Sequence, residues 1–384
     1  MKKETKSKQP KEETVNTFKG TDKDIKCRSF QYEPGKEYEE KDAKACETGF
    51  HACENPLDIF NYYPPTNGNR YFNTESSGKI DRHNEDSKIA SSKIKIGLEL
   101  NLSSLIKGAV KFIFEKTNAS EISSATTGYG ANSATTGYGA NSATTGYGAN
   151  SATTGEYANS ATTGNHANSA TTGNRANSAT TGEYANSATT GNRANSATTG
   201  DRANSATTGE YANSATTGYR ANSATTGEYA NSATTGNRAN SATTGYRANS
   251  ATTGEYANSA TTGEYANSAT TGYGANSATT GYGANSATTG EYANSATTGN
   301  RANSATTGYG ANSATTGEYC ISACLNAGGK AKAALGSFIV ISEWERDNLG
   351  NWNVIDVKGF KVDGKSIQAD TFYTLVKGEA KEVL

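Results

Sequence analysis

Three sets of residues in this chain could do chemistry. The densest is Cys46-Glu-Thr-Gly-Phe-His51-Ala-Cys53, with Cys27 upstream. Three thiols and an imidazole are the ligand types of a tetrahedral zinc site. The Cys-x6-Cys spacing is not that of a zinc knuckle, however, and His51 and Cys53 fall on one face of a strand. A nucleophilic Cys53–His51 pair is a second use of the same residues. Buried structural thiols are the expectation, with no metal and no cofactor. The second set is a run of tyrosines and arginines, among them Tyr157, Arg175, Tyr184, Arg193, Arg202, Tyr211, Tyr219 and Arg220. Such side chains bind glycans or proteins through ring faces and guanidinium groups. The third is a recurring Ser-x-Thr, a source of regularly spaced hydroxyls. Only His51, His83 and His166 are available for acid–base work, and no P-loop, dinucleotide fingerprint or Ser-His-Asp signature is present. A non-enzymatic protein is therefore expected.

The second and third sets are positioned by one device. From Ser124 to Ile321 a nine-residue unit, Ser-Ala-Thr-Thr-Gly-x-x-Ala-Asn, recurs 22 times without insertion or deletion. Periodicity this strict specifies a solenoid. Asn-Ser-Ala-Thr-Thr reads as a short strand, and the Gly reads as a corner needing a backbone that Cβ forbids. Nine residues are too few to close a coil around an interior, so two units per coil are predicted, giving a parallel β-roll. At about 4.8 Å per rung, eleven coils make a rod on the order of 50 Å long. Alternation along the strand predicts Ala134 and Thr136 inward with Ser133 and Thr135 outward, because that phase buries a methyl rather than a lone hydroxyl. Asn132, Asn141 and their equivalents should form an amide ladder. The two x positions place the tyrosines and arginines in columns along the two edges. Ring stacking and Arg–Tyr or Arg–Glu pairing between coils is one role for them, and a binding surface is the other.

Charge and composition narrow the classes further. The 384 residues carry a formal net charge of −1. Nine acids against seven arginines in the repeats argue against a nucleic-acid partner. No apolar run approaches the roughly 18 residues that span a bilayer, and the start MKKETKSKQPKEET lacks the apolar segment of a secretory signal. A cytoplasmic or virion location without a membrane partner is expected, with oligomerisation possible. Five cysteines fit a reducing compartment.

The flanks read as caps. Residues 1–16 are Lys/Glu-rich and predict a disordered tail. Residues 17–123 predict an α+β cap domain: a Pro34-Gly35 turn, a short helix after Asn55-Pro56, strands at 70–73 and 87–100, and an amphipathic helix at 103–116 closing the end of the roll. Beyond the repeats of 124–321, residues 322–336 read as degenerate coils in which Cys324 and Leu335 replace Thr, and 337–384 as a four-stranded β-meander. The fold class is mainly β.

Several resemblances attach to these residues. The Gly-Phe-His51-Ala-Cys53-Glu-Asn-Pro-Leu-Asp block, Asp86-Ser-Lys-Ile-Ala90, Glu343-Trp344 and Val362-Asp-Gly-Lys365 resemble a family of phage and prophage proteins of unknown function, whose ends flank Gly/Ala/Ser/Thr repeats. The repeat is similar to the head repeats of trimeric autotransporter adhesins, which are β-rolls. Arg28-Ser29 followed by Glu343-Trp-Glu345 is similar in order to the Arg, Ser and Glu-x-Glu of ADP-ribosyltransferases. That resemblance implies an enzyme built from the end domains, with Arg28 on a nucleotide phosphate and Glu343 stabilising an oxocarbenium-like ribose. The outward Ser133/Thr135 array resembles that of ice-binding solenoids.

Overall fold

A computed structural model describes residues 13–83, 86–116 and 123–383. It divides within helix α1 (Leu102–Lys116) into two compact units, residues 1–112 and 113–384.

The first unit is a small antiparallel sheet that closes on itself. Strands β1 (Thr14–Thr21), β2 (Lys26–Cys27), β3 (Phe30–Gln31), β4 (Glu37–Glu39), β5 (Phe50–Cys53), β6 (Arg70–Arg82) and β7 (Lys88–Leu100) precede α1. The sheet order is β4-β7-β5-β1-β6, and β6 pairs again with β7. β1 begins inside the range read as a tail. Phe18 and the buried Thr17, whose hydroxyl lies 2.7 Å from that of Thr74, tie it to the sheet. The rest of that tail lies outside the described residues. β6 runs nine residues past the strand expected at 70–73, because β7 pairs with it as far as Arg82, opposite Ile89. The short helix is the 3₁₀ turn Pro56–Asn61, capped by the Asn55 side chain accepting from the Leu57 N–H. The core gathers Tyr32, Phe50, Ala52, Phe72, Ile94 and Ile96. Along α1, Leu105, Ile106 and Ala109 are buried, and Gly108 faces Phe18.

The second unit is the parallel β-solenoid, of about 12 turns. Asn141 pairs with Asn159 and Ala143 with Ala161, so equivalent residues stack in register 18 residues apart and two repeats make one coil. The result is two 14-stranded sheets, one on each side of the coil. From Gly146 onward the corner glycines leave no room for a side chain. Gly200 has φ 147°, and a Cβ there would lie 2.0 Å from the Gly182 carbonyl oxygen one coil below. The stacking continues through the corner, where Gly146 N–H donates to Thr163 O at 2.9 Å.

The strand phase is the reverse of the expected one. Ser142 and Thr144 are buried while Ala143 and Thr145 are exposed, and Ser133 and Thr135 are likewise inside. The Ser hydroxyl is not alone inside, because the facing strand supplies its partner. Ser142 Oγ donates to Ser133 Oγ at 2.7 Å, Ser151 to Ser142 at 2.6 Å, and the series continues residue by ninth residue to Ser295 on Ser286 at 2.8 Å. A file of hydroxyls thus zigzags between the sheets along the axis, and a polar interior that would otherwise be penalised is satisfied. The inward threonines are less well served. Thr297 donates to the Asn303 carbonyl at 3.0 Å, but Thr234, Thr243 and Thr252 have no partner within reach. The third buried column is the Ala after the corner, such as Ala212 and Ala230, fully buried. The asparagines form the expected ladder: Asn231 Nδ2 donates to Asn213 Oδ1 at 3.0 Å and to the Tyr229 carbonyl at 3.0 Å. Asn, Ala and the second Thr point away from the interior. Ala143 and its equivalents on one sheet are exposed, whereas Ala134 and Ala152 on the other sheet are buried although they alternate with the inward Ser and Thr. The Ser133/Thr135 array of the ice-binding reading thus lies in the interior.

After the repeats, Ile321–Cys324 and Lys330–Lys332 each add a strand to one sheet. Cys324 occupies the inward Thr position, paired with Thr306, but Leu335 is 58 % exposed and does not. The terminal strands form two hairpins rather than one meander. Phe338–Arg346 with Trp352–Lys361 extends one sheet, and Tyr373–Val376 with Glu379–Glu382 extends the other. Their core is Ile339, Ile341, Val362, Ile367 and Leu375. No helix among the described residues is long and apolar enough to cross a membrane.

Thermal unfolding of single variants tests this packing. Gly200→Ala should lower stability by on the order of 3 kcal/mol, and Gly130→Ala, whose Cβ meets open space, by about 1 kcal/mol. Ser241→Ala, which interrupts the hydroxyl file, should cost about 1–3 kcal/mol. Thr234→Val removes an unpartnered hydroxyl and should leave stability unchanged or raise it. A large loss in the Thr234→Val protein would contradict the assignment of the interior.

Candidate functional site

The two x residues of each repeat sit at the coil corners, and backbone geometry fixes how they are shown. The first x is followed by a residue in the left-handed region: Tyr157, Arg175, Tyr184, Arg193, Arg202, Tyr211 and Arg220 all have φ between 54° and 58°. Glycine holds the equivalent position in six repeats, for example Gly130 and Gly283. A residue with Cβ costs about 1 kcal/mol there. The chain accepts that cost in sixteen repeats, always with Tyr, Arg or His. The corner backbone holds each one rigidly, as in Tyr184 N–H donating to the Asp201 carbonyl at 2.9 Å one coil on.

Alternate repeats fall on opposite edges, so the predicted residues divide into two columns. Tyr184, Arg202, Tyr219 and Arg220 lie on one edge in consecutive rungs, and Tyr157, Arg175, Arg193 and Tyr211 on the other. On the first edge Tyr129 stacks on Tyr147 at 5.4 Å, and His166 stacks on Tyr184 at 4.9 Å. Arg202 lies over the Tyr184 ring at 5.1 Å and also donates to its hydroxyl. Arg220 lies over its neighbour Tyr219 at 5.3 Å. On the second edge Arg175 covers Tyr157 at 5.1 Å, Arg193 covers Tyr211 at 5.7 Å, and Tyr211 stacks on Tyr229 at 4.9 Å. Arginine therefore pairs with rings. Among the described residues no Arg–Glu ion pair crosses these corners; Glu210 instead receives an Asn192 amide at 3.4 Å. The contacts leave much of the rings open, with Tyr211 41 % and Tyr256 50 % exposed. Arg202, Arg220 and Arg238 occupy three successive rungs of one edge. One member of the ladder was not anticipated: Trp352, 5.9 Å from Tyr309 and covered by Arg346, extends the first column past the last repeat. It falls within the 337–384 meander expected from the sequence, but nothing in the sequence sets it in register with the corners.

The thiol set lies in the first unit. Cys27, Cys46, His51 and Cys53 all line one cavity. His51 Nε2 accepts the Cys46 backbone N–H at 3.0 Å, which commits the imidazole to its own loop. Among the described residues no group of three His, Cys, Asp or Glu side chains is placed to hold a metal ion. Cys53 is buried, and desolvation pushes its thiol well above the ordinary range, which suits a packed thiol rather than a nucleophile. Burial, with a smaller contribution from Lys19, holds the His51 pKa below its ordinary value. Arg28 lines the same cavity. Glu343 belongs to the second unit, where its carboxylate accepts the Lys377 and Gly378 N–H groups at 2.7 and 2.9 Å and so fixes a hairpin turn.

Comparison with known proteins adds one finding. Residues 15–108 match a family model described as a domain of unknown function, DUF7666. No curated protein and no solved structure matches the chain.

Tyr229→Gly should change stability by less than about 1 kcal/mol, since relief of left-handed strain offsets the lost stacking of about 0.5–1.5 kcal/mol. Thermal melting measures it, and a collapse would mean that the ladder holds the coil together. Cysteine alkylation of the native protein should modify exposed Cys46 first and spare Cys53, Cys320 and Cys324. As pH falls through the ordinary histidine range, the unfolded chain takes up the His51 proton before the folded one does. The first unit should therefore lose stability towards acid. His51→Gln should flatten that dependence in melts at neutral and mildly acid pH.

Proposed function

We propose that this chain is a non-enzymatic display rod, whose solenoid holds tyrosine and arginine columns rigid for a protein or glycan partner. A rigid β-solenoid suits a structural or interaction role. The observation that carries the finer reading is the use of Tyr, Arg and His at sixteen left-handed corner positions where glycine would relieve strain. Stacking between rungs offsets part of that strain, yet it leaves ring faces and guanidinium edges open to solvent. Aromatic faces with neighbouring arginines are the groups that recognise sugar rings and protein hot spots. The rod is not strongly basic overall, so nucleic acid is not the partner favoured. The resemblance of the flanks to phage and prophage proteins supports a virion or infected-cell setting.

The test replaces Tyr157, Arg175, Tyr184, Arg193, Arg202, Tyr211 and Arg220 with Gly and Tyr219 with Asn, residues that other repeats carry at these positions. Circular dichroism and melting should stay close to the parent. Binding on a glycan array, or to intact host cells, should fall at least tenfold. Undiminished binding by the folded variant would defeat the reading.

A further inference from the structure

We propose that the cavity in the first unit is a binding site for a small organic anion, whose carboxylate or phosphate is seated on Lys19 and whose ring packs against Tyr32. This inference concerns a different unit and stands apart from the display reading. The cavity has a volume of about 770 Å³, within the range of small-molecule sites. Lys19 on β1 lines it and is 2 % exposed. Its ammonium donates to the His51 carbonyl at 2.7 Å and lies 4.5 Å from the centre of the Tyr32 ring.

Among the described residues no carboxylate forms an ion pair with Lys19; the acids lining the cavity, Glu40 and Glu47, are exposed. The Cys27 thiol hydrogen-bonds the lysine and Cys53 lies near it, but neither is a carboxylate. A buried ammonium whose acidic neighbours are thiols is strongly disfavoured unless something supplies the negative charge. Arg28, in the left-handed region at φ 55°, brings a second cation to the same cavity. Tyr32, Phe30, Phe50, Tyr62 and Tyr63 give the remaining wall its aromatic character. Gly20 keeps space beside the lysine closed to any larger residue, since a Cβ there would lie 2.5 Å from Ile59. With Lys88, which lies over the Tyr62 ring at 4.5 Å, three cations line an aromatic wall and define an anion with a planar body, of about the size of a mononucleotide. Burial also lowers the Lys19 pKa, so its amine is more readily deprotonated than those of surface lysines.

The test uses the full chain and pyridoxal 5′-phosphate as a probe that combines a ring, a phosphate and an aldehyde. The Lys19 amine adds to the aldehyde carbon, water leaves to form the imine, and borohydride delivers hydride to give a stable secondary amine that peptide mapping locates. Lys19 should be the principal adduct near neutral pH. An excess of AMP or of benzoate should reduce labelling at least fivefold while adenosine does not; protection by AMP identifies a phosphate ligand and protection by benzoate a carboxylate. Lys19→Met should melt at a higher temperature than the parent and should no longer be stabilised by the protecting anion. Adducts confined to surface lysines, or Lys19 labelling that no anion reduces, would overturn the proposal.

Discussion

The second unit depends on one close approach. At each corner the glycine backbone of one coil lies against the carbonyl of the coil below, at a separation that no side chain can share. That contact lets an 18-residue circuit stack on itself at the spacing of ordinary strand pairing. The rest follows from it. Strands align in register, identical side chains form columns, and the backbone hydrogen bonds run unbroken from sheet through corner to sheet.

The interior shows how so apolar-poor a sequence closes a coil. There is no aliphatic core in the repeats, only Ser, Thr and Ala. The serine file replaces hydrophobic volume with hydrogen-bond satisfaction, and its members polarise one another along the axis. The threonines contribute methyl groups and leave most of their hydroxyls idle. Tolerance of those idle groups fits an interior held mainly by its backbone ladder. The first unit is built the opposite way, on a conventional aromatic and aliphatic core, and it encloses Lys19.

Much of this was legible in the sequence. The nine-residue period, the pairing of repeats into coils, the glycine corners, the asparagine ladder and the division of Tyr and Arg between two edges all follow from spacing and turn chemistry. The strand phase did not. Judged on one strand, Ser133 looked costly to bury, because its partner Ser142 belongs to the facing strand and appears only once the coil is closed. Leu335 was misplaced because hydrophobicity was allowed to decide a position that register decides. Around Lys19 the sequence offers nothing beyond a lysine in Thr-Phe-Lys-Gly; only closure of the sheet reveals that its ammonium is enclosed. Cys27, Cys46, His51 and Cys53, singled out by their spacing, do line one cavity, and Cys53 is the buried thiol that was expected.

The in-register winding has a consequence for how such a gene can vary. Tandem identity invites gain and loss of repeats, and the fold reads those changes by parity. Losing two repeats shortens the stack by a full circuit and returns every downstream aromatic to its own side. Losing one exchanges the sides for everything that follows, so that His166 and Tyr184 could remain beneath a column that now begins with what had been the opposite series. Length is free to drift, but the surface pattern survives only in even steps.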